Sequence, residues 1–83
     1  MKLFLKPSAE KDLEKIDFQI RVRILKKLQF YTSQSNPLQL AESLKDSRFG
    51  EWKFRIGNYR ILFDIEKDKI VVLKIGHRRD IYK

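Results

Sequence analysis

The sequence predicts an α+β domain in which a helical hairpin packs on a sheet, with the element order β-α-α-β-β-β. Two observations carry that expectation. Apolar residues recur at helical spacing through residues 8–32, and the period switches to two-residue alternation after residue 50. A chain of 83 residues leaves room for one domain, residues 1–83, and for no second core.

Each element follows from local chemistry. Lys2-Leu3-Phe4-Leu5-Lys6 is short, apolar at its centre and closed by Pro7, which predicts a strand. Ser8 is placed to cap a helix beginning at Ala9, with Glu10 favoured near its positive end. Ala9, Leu13, Ile16 and Ile20 share one helical face. Asp17 reads as a second cap, and Ile20, Ile24, Leu25, Leu28 and Tyr31 continue the stripe, so the hairpin breaks near Asp17. Thr32 to Pro37 is a loop ending in Asn-Pro. Residues 38–44 predict a short helical turn with Leu40 and Leu44 inward, and Lys45 to Gly50 a second loop. Trp52, Phe54 and Ile56 then alternate with Lys53 and Arg55. Gly57-Asn58 turns the chain into a strand from Tyr59 to Ile65. Residues 66–69 turn it again into Ile70–Ile75, whose continuous apolar run suits a central strand. Short turns pair these three strands as an antiparallel meander, giving a mostly antiparallel sheet of four strands.

Composition narrows the function. The net charge is +8, with an excess of three cations in residues 1–44 and five in residues 45–83. Such a field favours polyanionic partners, although solubility alone also explains many basic domains. Absence of cysteine removes disulfides and thiolate metal sites and suits a reducing compartment. No apolar run approaches the roughly 18 residues of a membrane span, and the apolar start is too short for a signal peptide, so a cytoplasmic location is expected. One histidine without cysteine excludes the usual zinc sets, and scattered acids argue against a magnesium nuclease. The three glycines, Gly50, Gly57 and Gly76, are placed in turns and form no phosphate loop. Neither metal nor cofactor is expected.

Alternation puts Lys53 and Arg55 on the open face, roughly 7 Å apart, where they repel unless something negative lies between them. A phosphodiester satisfies that need. Arg60 falls near them on the next strand, and the Gly76 end of the last strand leads to His77, Arg78, Arg79 and Tyr82. Singly, each cation is an ordinary surface residue. Together they describe a surface that holds a polyanion. A lone histidine is more often structural than catalytic, but His77 stands beside two arginines, which suits acid–base work on a phosphate. Tyr82 can be core, a stacking platform or a proton carrier. Arg21, Arg23, Lys26 and Lys27 either track RNA phosphates or form a solvated helix face. Phe18, Phe30 and Leu38 are candidate apolar contacts for a protein partner.

Four segments carry a family resemblance: Pro7-Ser8-Ala9-Glu10-Lys11-Asp12-Leu13, Leu44-Lys45, the run from Trp52 to Phe63 with its R-x-G-x-Y-R core, and Gly76-His77-Arg78-Arg79-Asp80-Ile81-Tyr82. In order and spacing they resemble the RelE branch of the RelE/ParE toxin superfamily. The resemblance implies a type II toxin that enters the ribosomal A site and cuts messenger RNA without a metal. The RNA 2′-hydroxyl attacks the adjacent phosphate and leaves a 2′,3′-cyclic phosphate. It implies catalytic positions at Lys53, Arg55, Arg60, Arg78 (or His77) and Tyr82. Family members with lysine at the Arg55 position have a better proton donor there, so acid–base duty here moves toward Lys53, His77 or Tyr82. Lys45, Arg48, Lys74, Arg79, Arg23 and Lys27 are expected RNA contacts. The implied partners are a cognate antitoxin, the ribosome and mRNA, with operator DNA reached only through the antitoxin complex and no membrane. The alternatives are a ParE-like gyrase inhibitor and a non-catalytic RNA- or antitoxin-binding module.

Overall fold

The chain opens with β1 (Lys2–Leu5), whose side chains alternate between exposed and half-buried. The computed structural model describes residues 1–82. Pro7 does not merely stop the strand. It begins α1 (Pro7–Glu14), at a position where a missing N–H costs no hydrogen bond. Lys6 occupies the cap position without a side-chain bond, so the cap expected at Ser8 is corrected. The Ser8 hydroxyl instead reaches the sheet and donates to the Leu73 carbonyl at 2.7 Å. Asp17 does cap α2 (Phe18–Thr32), accepting from the Gln19 N–H at 3.2 Å. At the hairpin corner, Arg21 Nη2 donates to the Ile16 carbonyl at 3.0 Å, a cation at the negative end of α1.

Residues 38–44 depart from the expected helical turn. A 3-10 turn spans Pro37–Leu40, and Glu42–Ser43 then extends as β2. Pro37 is the buried residue of this segment, while Leu40 is exposed and Leu44 only half-buried. The competing force is tertiary. The open edge of β3 (Trp52–Ile56) offers backbone partners, and Glu42 and Ser43 pair with Lys53 and Trp52.

β3 runs antiparallel to β4 (Tyr59–Glu66), and β4 to β5 (Lys69–His77). β1 lies parallel beside β5, giving the spatial order β1-β5-β4-β3-β2. The sheet therefore gains a fifth, two-residue strand beyond the four expected. β5 outruns β1, and α1 takes over its bare edge. The Lys6 N–H donates to the Val72 carbonyl at 2.9 Å, Ser8 covers the Leu73 carbonyl, and Asp12 Oδ2 accepts the Ile75 N–H at 2.9 Å. These bonds close an edge that another chain could otherwise pair with.

Register divides the sheet into two faces. Phe54, Ile56, Ile61, Phe63, Val72 and Ile75 join Ala9, Leu13, Ile24 and Leu28 in the helix-side core. Phe54 and Phe63 stack at 4.4 Å between ring centroids. The other face carries Lys53, Arg55, Arg60, Leu62 and Lys74. It is not bare: Leu62, Val71 and Ile81 are buried outside the main core. The turn after β5 folds back there, because Gly76 lies within β5 rather than in a turn and has no side chain to block it. A Cβ on Gly76 would sit 3.0 Å from Ile81 Cδ1. Among the described residues, no helix is long and apolar enough to cross a membrane.

Candidate nucleic-acid interface

The candidate interface lies on the sheet face away from the helices. Alternation along β3 aims Lys53 and Arg55 outward while Phe54 and Ile56 are buried. Arg60 lies opposite Arg55 in the β3–β4 register. Like charges directly opposite each other destabilise a sheet, so this pairing is costly unless an anion answers it. Arg60 is only 8% exposed, and its Nη1 donates to the Gly57 and Tyr59 carbonyls at 3.1 and 2.9 Å. Among the described residues no carboxylate pairs with it. A buried cation held only by carbonyls projects an uncompensated positive potential.

The C-terminal turn delivers Tyr82. Asp80 and Ile81 N–H groups both donate to the His77 carbonyl, and Ile81 anchors on Gly76. Tyr82 therefore returns over the open face, where its hydroxyl accepts from Lys53 Nζ at 3.3 Å and its ring meets Phe49 edge-on at 5.3 Å. The Arg78 N–H donates to the Asn58 carbonyl at 2.8 Å, which ties Arg78 to the β3–β4 turn beside Arg60. Lys53, Arg55, Arg60 and Tyr82 thus gather at one side of the sheet, with the Arg78 backbone at the adjoining turn.

Glu42 is the residue that sequence reasoning missed. From β2 its carboxylate accepts from Arg55 Nη1 at 3.1 Å and lies 3.8 Å from Lys53 Nζ. The negative charge between the two cations is supplied by the chain itself. Two unpaired cations on one strand were the available signal, and Glu42 is the acid that the β2–β3 pairing sets directly opposite Lys53. With Lys45, Phe49, Lys53 and Tyr82, Glu42 lines a cleft of about 420 Å³.

His77 is not brought to this group. It pairs with Tyr59 across β4–β5, on the helix side of the sheet, and the two rings meet edge-on at 5.5 Å. Its Nδ1 accepts the Arg79 N–H at 3.2 Å. Arg48 is held by Asp46, with Nε and Nη2 donating at 3.0 and 2.6 Å to one carboxylate oxygen. That side-chain bond holds the Asp46 carboxyl below the usual carboxylate range and raises Arg48. Lys45 borders the cleft. Lys74 lies on the same face beyond Phe49, and Arg79 is exposed in the final turn. Arg23 and Lys27 lie on the solvent side of α2 with Val22 and the exposed Phe30, and the Arg23 guanidinium reaches the β3–β4 turn, its Nη1 3.8 Å from where a Cβ on Gly57 would sit. Phe18 is also exposed, whereas Leu38 packs against the core.

Comparisons with known proteins agree with this fold. The family model described as the ParE toxin of type II toxin–antitoxin systems matches residues 3–82. Toxin RelG of Mycobacterium tuberculosis is 31% identical over 78 residues, covering 92% of this chain and 88% of that protein. The crystal structure of the RelBE2 toxin–antitoxin complex from Mycobacterium tuberculosis superposes with a TM-score of 0.76 at 25% identity, over 93% of this chain and 96% of that one. The RelB–RelE antitoxin–toxin complex from Methanococcus jannaschii gives a TM-score of 0.68 at 28% identity, over 95% and 94%.

Proposed function

This chain belongs to the RelE/ParE superfamily of type II toxins, and on that premise we propose that it is a metal-independent endoribonuclease that cuts messenger RNA on the ribosome. The observation that carries the reading is Arg60, buried without a carboxylate partner among the described residues and set opposite Arg55. Such a charge is tolerated where a ligand supplies the counter-ion.

The chemistry follows from the neighbours. An RNA phosphate displaces Glu42 from the Lys53–Arg55 pair and takes its place. Arg55, Arg60 and Arg78 answer the charge that grows on the phosphate oxygens during attack. The displaced Glu42 carboxylate remains beside the phosphate and accepts the 2′-hydroxyl proton. The 2′-oxygen bonds to phosphorus as the bond to the 5′-oxygen breaks. Tyr82 protonates the departing oxygen and is resupplied by Lys53, which already donates to its hydroxyl. The ribosome sets the in-line geometry of the message. The antitoxin-bound state of both similar structures supports a cognate antitoxin as partner.

Induction of the Tyr82→Phe and Arg60→Met variants without antitoxin is the test, read by growth and by primer extension on translated messages. Loss of codon-positioned cuts in both is expected. Parental cutting by both rejects the site. The matching family model is described by ParE, which favours gyrase inhibition as the second reading. Arrest without message cleavage, accompanied by loss of DNA supercoiling, selects it.

A further inference from the structure

A second depression of about 360 Å³ lies on the same face, with Phe49 as a wall common to it and the Glu42 cleft. Its construction is unusual. Leu62 pairs with Lys74 but Phe63 pairs with Val72, so Leu73 is an extra residue in β5. In a regular strand, neighbours point to opposite faces. At this bulge Leu73 and Lys74 line one depression together. Three features hold the bulge open. Ser8 donates to the bulged Leu73 carbonyl at 2.7 Å. Asp12 takes the next free N–H, that of Ile75. Gly50, at φ +113°, lets the loop before β3 close on Leu73, since a Cβ there would lie 3.0 Å from Leu73 Cδ1.

The geometry points to a nucleobase subsite here, for the nucleotide next to the phosphate held by Lys53 and Arg55. This inference rests on the RNA-cleavage reading and adds a specificity determinant to it. Leu73, backed by the fully buried Leu62, gives an apolar floor, and Phe49 an aromatic wall, for a flat unstacked base. The polar groups sit at the rim. Lys74 offers donors to a base carbonyl or ring nitrogen. Asp12 uses Oδ2 for Ile75 and keeps Oδ1 for a base N–H. A donor beside an acceptor reads a base edge, whereas a cation alone reads only phosphate. Lys74 and Asp12 are the specificity-determining pair.

Lys74→Met and Asp12→Asn test this. Asparagine preserves an oxygen for the Ile75 N–H and puts an amide donor where Oδ1 stood. Both variants are expected to cut more slowly. At one fixed position beside the cut, discrimination between the preferred base and the others falls about fivefold, the equivalent of one hydrogen bond. An unchanged base profile in both variants, at equal thermal stability, overturns the subsite. Binding gives an independent reading. The parent is titrated with short single-stranded RNA whose attacking 2′-hydroxyl is replaced by hydrogen. Methyl signals of Leu62 and Leu73 should shift in the parent and shift less in Lys74→Met. Signals that move only around Lys53 and Tyr82, or nowhere, also overturn it. A parent whose Leu62 and Leu73 methyls shift, but which never cuts message, retires the nuclease reading and leaves the subsite standing.

Discussion

Replacing Glu42 with glutamine separates binding from chemistry. In the native chain the carboxylate lies 3.1 Å from Arg55 and 3.8 Å from Lys53, with side-chain exposures of 49% for Glu42, 60% for Arg55 and 22% for Lys53. Unit charges about 4 Å apart attract by about 1–4 kcal/mol over the dielectric range of a protein surface. Exposure and side-chain entropy reduce each such pair to about 0.2–1 kcal/mol net. An entering phosphate therefore works against about 1 kcal/mol of self-pairing, or roughly fivefold in affinity. Glu42→Gln removes that opposition. Its affinity for a single-stranded RNA carrying a 2′-deoxy substitution at the cut should rise about fivefold at low salt. The logarithmic salt dependence should steepen by up to about 0.7 for each further phosphate that the freed cations neutralise. The same variant loses about 1 kcal/mol of stability, about 4–8 °C in Tm. It also loses the proton acceptor, so cleavage falls by about 10²–10⁴. Fluorescence anisotropy over a salt series and single-turnover cleavage on programmed ribosomes measure both. A variant that binds no better than the parent refutes the competition between Glu42 and phosphate. One that binds better and cuts equally fast refutes the base.

Further outcomes follow from other contacts. Arg60→Met should bind the same RNA about tenfold less well while melting no lower than the parent, since a buried cation without a counter-ion gives way to an apolar side chain of similar length; a large fall in Tm would show that the carbonyl bonds dominate. Gly50→Ala should cost about 1–3 kcal/mol by denaturant titration, because alanine resists φ +113° and its Cβ crowds Leu73. Asp46 has a carboxyl held low by Arg48, so its contribution is complete above the unfolded carboxylate range and disappears as pH falls through the lowered folded value. Asp46→Asn should weaken that acid-side dependence in thermal melts across pH, and an identical pH curve for variant and parent would count against the Arg48 clamp.

The helix-side core was legible because its signals are local and periodic. Ile24 and Leu28, or Phe54 and Ile56, declare their faces by spacing alone. β2 was not legible. Leu38, Leu40 and Leu44 fit a helical turn as well as anything, and only the unpaired edge of β3 makes Glu42 and Ser43 extended. The bulge at Leu73 is equally silent, because Ile70–Ile75 reads as an unbroken apolar run whichever residue is extra. His77 was legible but was read by the wrong rule. Alternation from Ile75 through Gly76 puts His77 back on the helix side, where its ring meets Tyr59. Grouping it with Arg78 and Tyr82 by proximity in sequence set that parity aside.

The placement of Glu42 explains how the site can exist before its ligand arrives. Lys53, Arg55 and Arg60 sit on adjacent strands, and without an acid their repulsion would work against pairing of β3 with β4. A carboxylate fixed in the middle of the sheet would relieve that repulsion permanently and would keep phosphate out. β2 pairs through only Glu42 and Ser43 and lies at the sheet edge. A short edge strand has low local stability, so Glu42 can leave its two cations without unfolding the core. Arg60 faces no such internal partner among the described residues, which leaves the attraction for an incoming anion strongest where Glu42 does not reach.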